Sequence, residues 1–339
     1  MEETNVGKLA FSLVYSSEVG EGYDISKSIV GTRNRNYYKN ISKETVLDFL
    51  DLEETKVKIV VDERGHAHML AHNTISNETI QIDGLGDHFL ALLKSVRRAE
   101  EVKRDIKYGN DYKLLDHAFI QAINAQLLSL RYEYDEVAIG QYRFLDFAER
   151  DHDVHHTMID DDGKPKRSRS ANIEKAGEQN VVKKMRELVD WVNNDAFKSG
   201  DDMLDMAKFH SRFVQIQPFA DGNKRTARLL TNYMLLVKDL PLVDINEDNR
   251  DEYLMCIYYS TAENEEIFRN ESRLFAAFDD KIMRLQGERT EDNKYMPLKW
   301  FFEKYSIKGK SKKVIEDILR YDAGSNVCAN QIDGTEFEQ

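Results

Sequence analysis

Two cysteines in 339 residues, Cys256 and Cys328, are too few for a disulfide framework and lack the spacing of a thiolate metal site. Reduced thiols are expected, and Cys256, inside an apolar helical run, reads as a packed residue rather than a nucleophile. No apolar run approaches the roughly 18–20 residues that a membrane-spanning helix needs. The opening Met1-Glu2-Glu3-Thr4 carries no signal-peptide pattern, so a cytoplasmic chain without membrane contact is the expectation. Positive charge is in deficit: 48 Lys+Arg face 61 Asp+Glu, a formal net charge of −13. Bulk charge of that sign disfavours nucleic acid and anionic membranes and leaves proteins and small molecules as partners. No internal repeat is present, and the length suffices to bury a substantial core. A homo-oligomer stays open.

Against this background one stretch stands out, Phe213 to Arg228, which reads F-V-Q-I-Q-P-F-A-D-G-N-K-R-T-A-R. Upstream, Leu204, Ala207, Phe213 and Val214 recur at helical spacing, so a buried helix delivers the chain to a stop at Pro218. Downstream, Leu229, Leu230, Tyr233, Met234 and Val237 form one face of a second helix opening near Asn223. The amides at the start of that helix lack intrahelical acceptors and favour an anion. Gly222 permits a positive-φ turn and a close backbone approach to a ligand. Lys224, Arg225 and Arg228 add cationic charge, and Asp221 supplies the one carboxylate able to hold Mg²⁺ between phosphate oxygens. A D-G-N turn followed by K-R is also a common surface helix start; the whole string is far rarer than its parts.

The string resembles the signature of the Fic family, H-x-F-x-[D/E]-G-N-[G/K]-R-x-x-R, and Gly140-Gln141-Tyr142-Arg143 stands where that family has G-x-Y-R. The resemblance implies a mostly α fold: a Fic-type helical bundle core with a short β-hairpin flap, preceded by a small N-terminal region that contains a hairpin. It implies ATP and Mg²⁺ as cofactors and transfer of AMP to a hydroxyl side chain of a target protein docked on the flap. By position, Asp221 would hold the metal, and Gly222, Asn223, Lys224 and Arg225 would surround the nearer phosphates. Arg228 would engage the far ones, and Phe219 would anchor the loop. Two departures stand against this. Gln217 occupies the place of the histidine that takes the proton from the attacking hydroxyl, and an amide has no basic lone pair near neutral pH. Lys224 replaces the common glycine, as in the related Doc toxins, which move the terminal phosphate. Three readings follow: an adenylyl transferase impaired or altered by Gln217, a catalytically silent nucleotide- or partner-binding module, and a Doc-like phosphotransferase.

The rest of the chain divides into residues 1–70, a Fic-like domain over 71–285 and a helical tail over 286–339 whose end reads as disordered. Lys56–Val61, Glu63-Arg64-Gly65 and His66–Leu70 predict a hairpin, with His66 and His68 as ordinary surface residues. In His72–Ile82, two alignments fit the family's inhibitory helix, [S/T]-x-x-x-E-[G/N]. One uses Thr74 and Glu78; the other puts Ser76 where the glutamate belongs. Core helices are predicted between Asp87 and Leu130, with His117 as a packing residue, and over Lys183–Val192, Asn249–Ala262 and Arg269–Met283. Shorter helical pieces are predicted at Leu298–Tyr305 and Lys313–Leu319. Asp160–Gly163 reads as a hairpin tip, and Ser170, Ala171, Asn172 and Ile173 are the flap candidates, where strand addition would hold a target. His152, His155 and His156, with Asp151 and Asp153, form the one cluster that could supply a replacement base or a metal site. His210 is a weaker candidate for the base.

Overall fold

The computed structural model describes residues 14, 29–31, 55–61, 67–82, 85–129, 139–143, 155–159, 165–169, 178–246, 248–261, 288–291, 293–309, 312–316 and 318–319. In chain order the elements begin with β1 (Ile29–Gly31), β2 (Thr55–Val61), β3 (Ala67–Asn73) and β4 (Glu78–Ile82). Then come α1 (Leu85–Tyr108), α2 (His117–Leu128), β5 (His155–Ile159), β6 (Pro165–Arg169) and α3 (Glu178–Asn194). The signature pair is α4 (Asp202–Ile216) and α5 (Asn223–Val237), followed by α6 (Arg250–Thr261) and α7 (Met296–Lys304).

The fold is mostly helical, and α5 is its centre. Thirteen of its positions from Arg225 to Val237 are buried in an unbroken run, which a helix tolerates only when neighbours cover it on every side. Those neighbours are α1, α2 and α4, while α7 closes over α4 and α6. Met185, Leu188, Val189 and Val192 of α3 are all buried, as its period predicts, and α3 packs on α4. Cys256 is buried in α6. The tail piece is helical at 312–316 and 318–319. The helix expected over Arg269–Met283 and the end expected to be disordered lie outside the described residues.

The N-terminal hairpin is present and larger than the pattern implied. All pairings are antiparallel in a sheet ordered β1-β4-β3-β2. Alternate residues of β3, Ala67, Met69, Ala71 and Asn73, are buried, and that face meets α1. The approach is tight: a Cβ at Gly86 would lie 2.3 Å from the Ala67 carbonyl oxygen.

The inhibitory helix anticipated at His72–Ile82 is a correction. That segment is a β-turn between two strands: Asn73 Oδ1 accepts from the amides of Ile75 and Ser76, both at 2.9 Å, and Asn77 takes φ 56. These features send the chain back on itself, and Thr79, Ile80 and Ile82 then favour a strand. Ser76 is exposed at the turn and Glu78 opens β4, so neither belongs to a helix facing the signature.

The second hairpin was placed correctly. β5 and β6 pair antiparallel from His155↔Arg169 to Ile159↔Pro165; the tip expected at Asp160–Gly163 lies outside the described residues. The flap candidates Ser170, Ala171, Asn172 and Ile173 lie outside the described residues.

Candidate functional site

Two helix ends meet at the loop 217–222. α4 stops because Gln217 adopts a left-handed conformation, φ 49 and ψ 60, while its amide still bonds Phe213 O at 3.2 Å. Pro218 follows, without an amide to continue the helix. Gly222, at φ 75, then turns the chain into α5. A Cβ on Gly222 would lie 3.0 Å from Asn124 Nδ2 and 3.4 Å from the Leu128 methyls. The glycine thus serves both the turn and the close packing on α2 beneath it.

Side chains within the loop hold one another. Asn223 Oδ1 accepts from Phe219 N at 2.8 Å, and its Nδ2 donates to Phe219 O at 2.8 Å and to Gln217 Oε1 at 2.9 Å. Gln217 Nε2 donates to Val214 O at 2.6 Å. Both ends of the buried Gln217 amide are therefore engaged in shaping the loop. Phe219, 2 % exposed, packs against Tyr142 and Phe213, as an anchor should.

The Gly140–Arg143 segment braces the loop from outside. Arg143 Nε and Nη2 donate to the carbonyls of Gln217 and Ile216 at 2.5 and 3.2 Å, and its amide donates to Pro218 O at 2.8 Å. Tyr142 hydroxyl and His117 Nδ1 share a hydrogen bond at 2.8 Å, which confirms His117 as a packing residue. Asn124 ties all three segments together. Fully buried, it donates to Asp221 O at 3.0 Å and Thr226 Oγ1 at 3.2 Å and accepts from Gly140 N at 3.0 Å. Sequence reasoning missed it; an asparagine on the buried face of an apolar helix was the available signal.

Asp221 lies at the mouth of the loop. One of its oxygens accepts from Gly222 N at 2.5 Å, and the other meets Arg225 at 3.4 Å, with the carboxylate side chain 34 % exposed and the guanidinium side chain 2 % exposed. Lys224 is half-buried on the first turn of α5. This end has the donors that a metal-bound polyphosphate requires: an accessible carboxylate, helix-start amides and cations. Arg228 has other neighbours. It is 5 % exposed, its guanidinium lies 5.9 Å from the Tyr253 ring centre, and it lines a narrow cavity with Val14, His88, Leu92, Asn232 and Ile245.

His210 is excluded as a replacement base. It is fully buried, with Nδ1 2.9 Å from Thr231 Oγ1 and Nε2 2.8 Å from Tyr253 hydroxyl. Burial first, then the nearby Arg228 charge, pushes its pKa down to about 3. Of the other cluster, His155 and His156 occupy successive positions of β5, opposite Arg169 and Ser168; Asp151, His152 and Asp153 lie outside the described residues. No group of three or more metal-ligating side chains occurs among the described residues. His66 lies outside them too, while His68 and His72 are half-buried on the outer face of β3. No helix among the described residues is long and apolar enough to cross a membrane.

The Fic/DOC family model matches residues 114–235, which run from the foot of α2 through the loop to the end of α5. Over this segment, about a third of the chain, the sequence is similar to the Fic/DOC family. Protein adenylyltransferase fic-1 of Caenorhabditis elegans is 33 % identical over 78 residues, 23 % of this chain and 15 % of that protein. Protein adenylyltransferase Fic of Drosophila willistoni is 32 % identical over 108 residues, 32 % of this chain and 21 % of its own. The matches thus span about a fifth or less of these relatives' length. A Fic domain-containing signaling protein from Bacteroides thetaiotaomicron aligns over 94 % of this chain and 88 % of its own, at 17 % identity and TM-score 0.46.

The pattern [S/T]-x-x-x-E-[G/N] also occurs as Ser17-Glu18-Val19-Gly20-Glu21-Gly22, outside the described residues. Val14, just upstream, is 1 % exposed and lines the same cavity as Arg228.

Proposed function

We propose that the chain binds ATP with Mg²⁺ at the loop 217–228 and descends from enzymes that move AMP from ATP to a hydroxyl side chain of a protein docked on the β5–β6 hairpin. Asp221 would hold the metal, whose charge offsets that of the phosphates. Gly222, Asn223, Lys224 and Arg225 would surround the nearer phosphates, and Arg228 the far ones. The family match and the adenylyltransferase relatives support this reading, as does the fit of donors around Asp221. The cytoplasm is the compartment that suits it.

The observation that carries the proposal further is the state of Gln217. In the transfer, the hydroxyl oxygen bonds the α-phosphorus, the bond to the bridging oxygen breaks, pyrophosphate leaves and the hydroxyl proton needs an acceptor. Gln217 offers none: its Oε1 accepts from Asn223 and its Nε2 donates to Val214. Loss of a general base lowers a rate by about 10²–10⁴-fold. The same observation favours a second reading, a binding module without transfer activity, and Lys224 favours a third, Doc-like transfer of the γ-phosphate.

One comparison separates them. The protein and its Gln217→His variant are incubated with a lysate and ATP labelled at the α- or the γ-phosphate. Label from the α position, at least tenfold stronger with the variant, is the expected result. Label from the γ position alone supports phosphotransfer. Silence from both, with ATP binding seen by calorimetry, supports the module, and no ATP binding at all removes the nucleotide reading.

We further propose that Ser17–Gly22 carries the family's inhibitory pattern, supported by the match of its residue types and by the place of Val14, just upstream, in the Arg228 cavity. A Glu21→Gly variant should bind ATP severalfold more tightly by calorimetry; unchanged affinity would remove this assignment.

A further inference from the structure

A second cleft, of about 260 Å³, lies between α3 and α4 and is lined by Lys184, Glu187, Leu188, Arg212, Gln215 and Ile216. Its volume is many times the ~30 Å³ that one water occupies in the liquid, so it admits side chains. Two cations and one carboxylate line it on a chain of net charge −13, and the Glu291 carboxyl outside the lining also feels the Arg212 charge. Glu187 is moreover 3.9 Å from Lys183 on the outer side of the same helix. The Arg212 guanidinium lies 4.7 Å from the Trp191 ring centre. A guanidinium held over an aromatic face keeps its charge and its N–H donors, which suit a carboxylate. Leu188 and Ile216 give the cleft an apolar floor.

The position of the cleft matters as much as its charge. α3 is the element that follows the β5–β6 hairpin in the chain, and α4 delivers Gln217 to the loop. Ile216 both lines the cleft and offers its carbonyl to Arg143. A chain seated in the cleft would therefore run directly beside the signature loop.

We propose that this cleft docks an acidic segment of the target protein, with an Asp or Glu side chain between Lys184 and Arg212 and an apolar neighbour on Leu188 and Ile216. The choice of occupant rests on the function proposed above; the charge selectivity does not. The cleft fixes the register of the target relative to the loop, so it sets which hydroxyl is presented.

The test uses the full chain and two fluorescein-labelled decapeptides with a central Leu, one otherwise Glu-rich and one otherwise Lys-rich, titrated by anisotropy. The Glu-rich peptide should bind at least tenfold more tightly and lose that advantage as salt is raised. Lys184→Glu and Arg212→Gln should each weaken it, and together abolish the preference. Lys183→Glu changes net charge as much as Lys184→Glu but lies outside the cleft lining, and should leave binding within twofold. Equal affinity for the two peptides, or equal effects of the Lys183 and Lys184 variants, would overturn the proposal. Circular dichroism confirms that each variant is folded. ATP binding is measured on the same samples: peptide selectivity without ATP binding would sink the nucleotide reading and leave this one standing.

Discussion

At the scale of single residues, the site depends on amides and carbonyls more than on charges. Asn124 makes three buried hydrogen bonds to three different segments, and removing a partner from a buried polar group costs about 1–3 kcal/mol. Asn124→Ala should therefore lower stability by about 2–4 kcal/mol in urea unfolding, and should weaken ATP binding because Asp221 loses its backbone support. Phe219→Ala should cost about 3–5 kcal/mol by the same measurement, since a fully packed ring leaves a cavity. Gln217 was legible as a missing base from the sequence alone. Its second role was not, because a hydrogen bond to Asn223 across the loop has no signature in the spacing of the two residues.

Helices were legible wherever apolar residues recurred at helical spacing between turn signals. α3, α4, α5 and α6 appear within a few residues of their expected bounds, although α5 proved to be buried on every side rather than along one stripe. β4 failed for the converse reason. Its five residues follow a polar turn whose Thr74 and Glu78 mimic one helical turn, and the cap from Asn73 to Ile75 and Ser76 resolved the conflict in favour of a hairpin. The sheet approaches α1 most closely where Gly86 lies against the backbone of Ala67. Gly86→Ala must push β3 away from α1, and hydrogen exchange should show β3 and β4 amides losing protection while α5 amides keep theirs.

For the whole molecule, the buried histidine under the site predicts how stability varies with pH. The His210 pKa is depressed from 6.5 to about 3 by burial and by Arg228, so the folded state holds it neutral. The unfolded chain takes up a proton below about pH 6.5 and the folded one does not, so this contribution is complete above that pH. It is lost as pH falls toward 3, at up to about 1.4 kcal/mol per pH unit. Acid unfolding of a His210→Gln variant should be shallower across pH 3–6.5, read as the difference in urea midpoints between the two proteins. Identical slopes would show that His210 is not held neutral by the fold.

The sequence by itself determined the likeness to the Fic/DOC family, the helical core, the two hairpins and the residues of the loop, because helical spacing, turn chemistry and a dense motif are local properties. Only the tertiary structure decided that Gly222 packs on α2, that His210 bonds Thr231 and Tyr253, that His72–Ile82 is strand and turn, and that Val14 shares a cavity with Arg228. Each of these depends on which distant segments are in contact, and burial, hydrogen-bond partners and electrostatic shifts exist only once those contacts form.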